Sequence, residues 1–413
     1  MLRCLFEYLL TLSVSGAFLA TLLENMGVSD ALKGVMQSTV SLGCVMQLVA
    51  VVVPRKGTSV KRWIIALSAV KNLFYLALYG LPFLPLPPVL RGVCCFALLL
   101  GGHLLTNLLL PATTTWLIAF VPGEQRGVFC ARKEQLSLLG GFLFSYALGT
   151  CSDWLTQRGN VAAAGVLFVC VVALCAVGSL LSLRRVSDAP AVPKAEVSWA
   201  AQLREIVSVS WRNKPFRRMI GLETLWRFAM YFSISYLGAY QIKVLGFSLG
   251  TVALLEIGYS VLRILFASVM GRLSDRRGIL PMLRCCFAVA ACAFAVGACL
   301  TPGNGGWLFI VFYGLYAIAM AGINNGLLNV TYQLLPAQQA QIGYGVKGAA
   351  GGLAGFAASL LGSVIVSRAP GAAAATGLCV QPVLFAVSAA LCVAMAVFFC
   401  RSRAARQADP AEA

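Results

Sequence analysis

The stretch "VMGRLSDRRGILPML" (269–283) places Arg272, Asp275, Arg276 and Arg277 between two long apolar runs. The medium around these charges follows from the composition. The 413 residues are 60% hydrophobic and 11% charged, with a mean hydropathy of +0.85. A water-soluble globule cannot bury so much apolar surface. The charged stretch is therefore a connection between two segments that lie in a membrane.

Twelve apolar segments are long enough to cross a bilayer, whose hydrocarbon core of about 30 Å requires roughly 20 apolar residues per helix. Strand-period alternation is absent, which argues against an outer-membrane barrel. The sequence thus predicts an all-α integral membrane protein with twelve transmembrane helices. The segments are 5–24, 32–53, 63–81, 89–119, 134–154, 161–183, 219–241, 250–270, 281–300, 307–332, 349–366 and 376–400.

The net charge of +18 follows the membrane topology. One set of connections holds most Lys and Arg, and this bias predicts that both termini are cytoplasmic. We therefore expect no nucleic-acid partner, and a monomer in contact with lipid in a bacterial cytoplasmic membrane. Glu7 interrupts the first apolar segment, which we interpret as a retained helix and not a signal peptide. The opposite connections contain only Lys33, Arg91, Arg158, Lys243 and Arg368.

The longest polar interval divides the chain into two sets of six segments. We predict a first bundle at 1–183, a linker at 184–218 with an interfacial helix, a second bundle at 219–400 and a tail at 401–413. An internal repeat supports this division, since 121–149 aligns with 335–363 and pairs Lys133 with Lys347 and Gly141 with Gly355.

The loop "GRLSDRRG" resembles the signature of the major facilitator superfamily, Gly-x-x-x-Asp-Arg/Lys-x-Gly. The matching residues are Gly271, Asp275, Arg276 and Gly278. Ile279 and Leu280 replace the two basic residues that follow in the family.

The corresponding connection of the first half, "AVVVPRKGTS" (50–59), keeps Arg55 and Gly57 but has Pro54 in place of the aspartate. The resemblance implies two pseudo-symmetric six-helix bundles that rock around a site near the middle of the membrane. It also implies that Asp275 is part of a latch that closes the cytoplasmic face.

Charges inside the apolar segments are costly and indicate function or pairing. Glu223 and Arg227 are four residues apart, and Glu256 and Arg263 are seven apart, so each pair shares a helix face. The helical rise puts both arginines at similar depth, which predicts a cluster of Glu223, Arg227 and Arg263 in the central cavity. This cluster is a structural salt bridge, a clamp for an anionic substrate, or a site of proton coupling through Glu223 or Glu256.

Uncharged polar residues supply further candidates for binding the substrate or an ion. His103 and Asn107 lie one turn apart, where the histidine either relays protons or makes structural hydrogen bonds. Asn325 and Asn329 share a face and either contact substrate or join helices. Gln37 belongs to a polar stripe on the second segment.

The sequence lacks HExxH and GxxxxGKS motifs, and the 15 cysteines include no CxxC pair. We therefore expect no enzymatic activity, no cofactor and no bound metal. The pattern favours a secondary transporter of a small organic solute, driven by protons or another gradient, with the arginines favouring an anionic or polar substrate. The alternatives are a transporter-like receptor and an exporter of amphipathic compounds.

Overall fold

The computed structural model describes residues 2–52, 60–118, 120, 126–188, 204–205, 207–208, 211–335, 337–368 and 380–401. This part of the chain is almost entirely helical. The helices of the first half are α1 (Leu2–Ser13), α2 (Gly16–Asn25), α3 (Asp30–Gln37), α4 (Thr39–Gly43), α5 (Val45–Val52), α6 (Val60–Gly80), α7 (Pro88–Ile118), α8 (Arg126–Gln157) and α9 (Val161–Arg184). Those that follow are α10 (Lys214–Ile234), α11 (Leu237–Lys243), α12 (Leu249–Arg277), α13 (Ile279–Ala298), α14 (Gly305–Leu334), α15 (Ala337–Arg368) and α16 (Gln381–Arg401).

The twelve predicted segments all coincide with helices. Within the described ranges, eight helices are long and apolar enough to span a membrane, and the bent pair α1 and α2 adds a ninth. The remaining three segments are helical but are broken or carry polar residues: 32–53 comprises α3 to α5, 134–154 lies within α8, and 219–241 comprises α10 and α11. The structure thus agrees with the predicted fold class but interrupts helices that hydropathy shows as continuous.

The bend of 46° between α1 and α2 shows why such breaks occur. Gly16 begins α2 with φ of +55°, a conformation that favours glycine. The backbone of Gly16 also packs closely on Gly238, where a Cβ would lie 2.9 Å from the carbonyl carbon of Gly16. Two glycines therefore let the halves of the chain touch backbone to backbone.

Buried apolar side chains form two principal clusters. The larger draws almost entirely on residues between 219 and 395, and the second largely on residues between 9 and 175. The internal repeat also has structural counterparts, because α8 and α15 are both 32 residues long. The division into two bundles remains a prediction, and most of the linker lies outside the described residues.

The bundle has two faces, and we name them by the chain termini. The proximal face is the one at which α1 begins and α16 ends. The distal face is the opposite one, with the turns at 26–29, 84–87 and 244–248. The seam that α15 forms with α3 to α5 runs between the two faces, from Ser359 Oγ donating to the Gly34 carbonyl (2.9 Å) to Ser41 Oγ donating to the Gly352 carbonyl (3.1 Å) and beyond.

The signature loop lies at the proximal end of α12. Gly278 ends the helix with φ of +85°, and its N–H donates to the Ser274 carbonyl at 2.9 Å. Asp275 is exposed, and no cation among the described residues pairs with it. Arg55 and Gly57 lie outside the described residues, so the latch stays a prediction.

Candidate functional site

A cavity of about 280 Å³ lies between the two halves of the chain. The first half contributes Gly16 and Gln37, and the second half contributes most of the wall. Of the predicted site residues, Gln37 and Glu256 line this cavity. The second-half lining residues are Tyr231, Ile234, Ser235, Leu237, Gly238, Gln241, Glu256, Tyr259, Tyr313 and Tyr316.

Four tyrosines from three helices give the cavity an aromatic wall. Tyr259 of α12 stacks on Tyr316 of α14 with ring centroids 5.8 Å apart, and meets Tyr313 edge to face at 5.6 Å. Tyr231 of α10 completes the set. Sequence reasoning missed these residues, although the spacing of the two tyrosines in "FYGLY" (312–316) puts both rings close together on α14. Aromatic walls with a few polar groups are typical of sites for organic ligands.

Glu256 is the acidic group of the cavity. The Tyr313 hydroxyl neighbours its carboxylate, and the Gln241 amide donates to the Tyr313 hydroxyl at 3.3 Å. The Glu256 Oε1 atom faces the first half, 3.8 Å from where a Cβ on Gly16 would lie. This carboxylate therefore sits where the two halves meet.

Glu223 and Arg227 form the ion pair that their spacing predicts, with Arg227 Nε donating to Glu223 Oε1 at 3.0 Å. The third charge at this cluster is Lys347, whose ammonium lies 3.5 Å from Glu223 Oε2 and donates to the Leu327 carbonyl at 2.6 Å. Lys347 was not among the predicted site residues, since its contact with Glu223 joins helices that are distant in sequence. The cluster carries two positive charges against one negative charge.

Arg263 lies near the aromatic wall. Its guanidinium carbon is 5.9 Å from the ring centroid of Tyr259, one helical turn away. Arg227 stands in the same relation to Tyr231, four residues along α10. The Arg227 side chain is 31% exposed, although α10 packs among several helices. Both guanidinium groups thus lie one turn towards the proximal face from tyrosines of the cavity.

The distal face is closed by polar contacts between the halves. Lys243 Nζ of α11 lies 2.7 Å from Glu24 Oε2 and 2.9 Å from Asp30 Oδ1, and Lys33 pairs with the same two carboxylates. We call these four residues the distal ion cluster. Burial alone would raise the pKa of Asp30, but hydrogen bonds from Lys33 and Lys243 outweigh it and hold that pKa below its usual range.

Asp153 of α8 provides a second closure. Its carboxylate accepts from the backbone N–H groups of Leu249 (3.3 Å) and Gly250 (2.9 Å), at the first turn of α12. These N–H groups have no partner within the helix, and the helix dipole favours an anion there. The first half therefore caps a helix of the second.

The other predicted candidates lie away from the cavity wall. The buried His103 Nδ1 is 3.3 Å from the Tyr75 hydroxyl, and Asn107 Oδ1 accepts from Gln47 Nε2 at 2.8 Å. Asn325 and Asn329 are exposed.

Gln37, which lines the cavity, links two helices at its border. Its side-chain amide on α3 donates to the Gly16 carbonyl of α2 at 3.3 Å.

One pattern of catalytic type does occur, because "GFSLG" (246–250) has the GxSxG spacing. Ser248 in this pattern is the N-cap of α12, and its Oγ accepts from the Thr251 N–H at 3.1 Å. The one histidine of the chain is bonded to Tyr75 in the first half. The spacing therefore reflects helix capping. The described residues contain no group of three or more His, Cys, Asp or Glu side chains that could hold a metal ion.

Comparisons with known proteins agree with this architecture. A family model described as Major Facilitator Superfamily matches residues 4–359. The solved structure of the nucleoside transporter NupG is similar, with 14% identity over 96% of each chain and a TM-score of 0.71. The structure of a D-xylose-proton symporter is similar with 16% identity, 97% of this chain, 95% of that chain and a TM-score of 0.73. The xylose transporter XylE from E. coli, in a partially occluded inward open conformation, has 14% identity over 97% of each chain and a TM-score of 0.66. Identities this low establish the fold alone. No curated protein matches the sequence.

Proposed function

Because this chain belongs to the major facilitator superfamily, we propose that it moves a small organic solute across a membrane by alternating access, as a secondary active transporter. The observation that carries the proposal is the aromatic cavity between the two halves, which both halves line. A binding site that two moving bodies share is the arrangement alternating access requires.

The two faces of the bundle differ in a way that supports this mechanism. The distal face is closed by the ion cluster at Lys243 and by the cap that Asp153 places on α12. On the proximal side, part of the Arg227 side chain is exposed. In our proposal the described residues correspond to a state that is closed at the distal face. With the positive-inside bias of the loops, the proximal face is the cytoplasmic one in our proposal.

The lining of the cavity favours a polar solute that contains a ring. Tyrosine rings stack on flat faces, and the glutamine and glutamate side chains bind hydroxyl or amine groups. The volume suits a solute of about the size of a monosaccharide or nucleoside, and similar structures include a nucleoside transporter and a D-xylose-proton symporter.

We assign Glu256 the role of the proton-coupling group. It is the carboxylate of the cavity, it lies where the halves meet, and its neighbours Tyr313 and Gln241 are uncharged. No cation among the described residues forms a salt bridge with Glu256, and such a carboxylate can take up and release a proton as water access changes sides. Glu223, by contrast, is held between Arg227 and Lys347, and we assign it a structural role in this proposal.

The test is transport by purified protein in liposomes, with monosaccharides, nucleosides and aromatic acids as labelled solutes. A proton gradient should drive accumulation of at least one solute by the native chain. Glu256→Gln should lose accumulation but keep exchange of internal for external solute, since exchange needs no net proton movement. Binding of a solute without any flux would instead identify a receptor and would refute the proposed transport.

A further inference from the structure

We infer that the cavity is polarised along its axis and selects a ring-bearing organic anion, with its carboxylate towards Arg227 and Arg263 and a hydrogen-bond donor towards Glu256. This inference rests on the proposed function and names the substrate class of the same site. Three features of the described residues carry it: the order of groups along α12, the charge count at α10, and the rings between them.

The first feature is the order of side chains on α12. Glu256, Tyr259 and Arg263 follow one another at spacings of three and four residues, which puts them on one face of the helix. The rise of about 1.5 Å per residue separates Glu256 from Arg263 by about 10 Å along the axis. A hydrogen-bond acceptor, an aromatic ring and a cation therefore succeed one another over the length of a small substituted ring compound.

The second feature is the excess of positive charge on the neighbouring wall. Arg227 and Lys347 share the single carboxylate of Glu223, so this cluster retains one net positive charge. An uncompensated positive charge deep in a membrane protein is costly, and a bound anion lowers that cost. The Arg227 side chain is 31% exposed, which leaves this guanidinium accessible to a solute.

The third feature is the aromatic wall between the two poles. Tyr259 and Tyr316 stack at 5.8 Å with planes 25° apart, and both line the cavity. A planar carboxylate matches the donor fork of a guanidinium group, whereas a carboxylate such as Glu256 accepts hydrogen bonds and repels anions. Glu256 on the cavity wall and the two arginines, which lie one helical turn beyond the lining tyrosines, therefore orient the ligand in one direction.

The experiment measures binding to purified wild-type protein of three acids with arms of increasing length: para-hydroxybenzoate, para-hydroxyphenylacetate and para-hydroxyphenylpropionate. Each is paired with its neutral amide. We expect at least one acid to bind tenfold or more tightly than its amide, because a charge-assisted bond to arginine is lost in the amide. Calorimetry gives the dissociation constants.

Substitutions of Arg263 and Glu256 test which side chains produce the preference for the acid. Arg263→Gln should weaken binding of the preferred acid at least tenfold and leave the amide unchanged, while Arg263→Lys should restore part of the difference. Arg284→Gln is the matched control, because Arg284 is exposed on α13 near the same proximal face. Glu256→Gln should weaken binding of each para-hydroxy acid more than binding of the same acid without its hydroxyl group, which is measured alongside.

The outcomes separate this inference from the proposed function. Acids that bind no more tightly than their amides, or an Arg263→Gln variant that binds like the wild type, would refute the polarised cavity. Uptake of xylose or uridine in the liposome assay, together with that result, would leave transport standing. Tight binding of an acid without flux of any solute would support the polarised cavity and contradict transport.

Discussion

Replacement of Lys243 by methionine should open the distal face. The Lys243 ammonium joins α11 to Glu24 and Asp30 of the first half at 2.7 and 2.9 Å, and methionine keeps much of the side-chain volume without the charge. Lys33 still pairs with both carboxylates, and the one negative charge left over can be solvated at the half-exposed Glu24, so the variant still folds. What it loses is the ionic bond between the halves.

The magnitude follows from the exposure of the pair. The Lys243 side chain is 23% exposed, so its ion pairs are intermediate between surface pairs and buried pairs. Surface pairs contribute up to about 1 kcal/mol, and disruption of a buried pair costs roughly 3 to 5 kcal/mol. A loss of about 1 to 2 kcal/mol shifts the equilibrium between distally closed and distally open states by roughly 5- to 30-fold.

Hydrogen exchange measured by mass spectrometry detects this shift in the equilibrium. Exchange in peptides that cover Leu237–Lys243 and the turn at 26–29 should accelerate in Lys243→Met and should be restored in Lys243→Arg. Lys214→Met is the matched control, since Lys214 is exposed at the start of α10. Unchanged exchange at both distal segments would show that the ion cluster does not hold the face closed.

The distal ion cluster also predicts a pH dependence. The closed state holds the pKa of Asp30 below its usual value. The closed state therefore binds fewer protons than the open state does. Its contribution is therefore complete above the ordinary aspartate pKa of about 3.9 and is lost as the pH falls through the lower pKa of the closed state. Lys243 has a raised pKa, so its contribution is complete below its ordinary pKa of about 10.4 and is lost only as the pH rises through the raised value. Exchange at the distal segments should be constant between about pH 5 and 9 after correction for intrinsic exchange.

Two further pairs of variants test which residues stabilise the bundle. Gly352→Ala should lower the free energy of unfolding by roughly 1 to 3 kcal/mol, because its Cβ would lie 2.3 Å from the Ser41 carbonyl oxygen. Gly258→Ala is the control, because a Cβ there meets nothing within 4 Å, and it should leave the melting temperature nearly unchanged. Glu223→Gln should lower the melting temperature in detergent more than Glu256→Gln does, because it leaves Arg227 and the buried Lys347 without their carboxylate. An equal loss in both glutamate variants would contradict the distinct roles assigned to them.

Local periodicity predicted what depends on local spacing. The Glu223 and Arg227 pair follows from a separation of four residues on one helix, and the structure confirms it. Lys347 was visible only as part of the repeat, and nothing in its neighbourhood indicates that it lies 3.5 Å from Glu223. The predicted cluster did not include Lys347, because depth along a helix can be counted from a sequence but the direction of a side chain across the bundle cannot.

The breaks in the helices were also beyond hydropathy. Residues 32–53 form one apolar segment, yet the helix is interrupted at Ser38 and Cys44, where the chain packs on α15. The bend at Gly16 likewise lies where Gly238 of the other half approaches its backbone. Such interruptions are set by contacts between distant segments, and a window of hydropathy averages over them.

The two seams between the halves suggest how the bundle moves. The contacts described between α8 and α12 lie at the distal ends of these helices, at Gly149 and Asp153. The α15 seam instead runs from Ser359 at one level to Gly345 and Gly348 at another, with glycines that allow close approach and carry no side chain to lock the register. Opening the distal face therefore requires loss of the Asp153 cap and of the distal ion cluster, while α15 can tilt against α3 to α5 and remain in contact. Since Tyr231, Tyr259 and Glu256 all belong to the second half, the anionic ligand would travel with that half, and the first half would change which face the cavity meets.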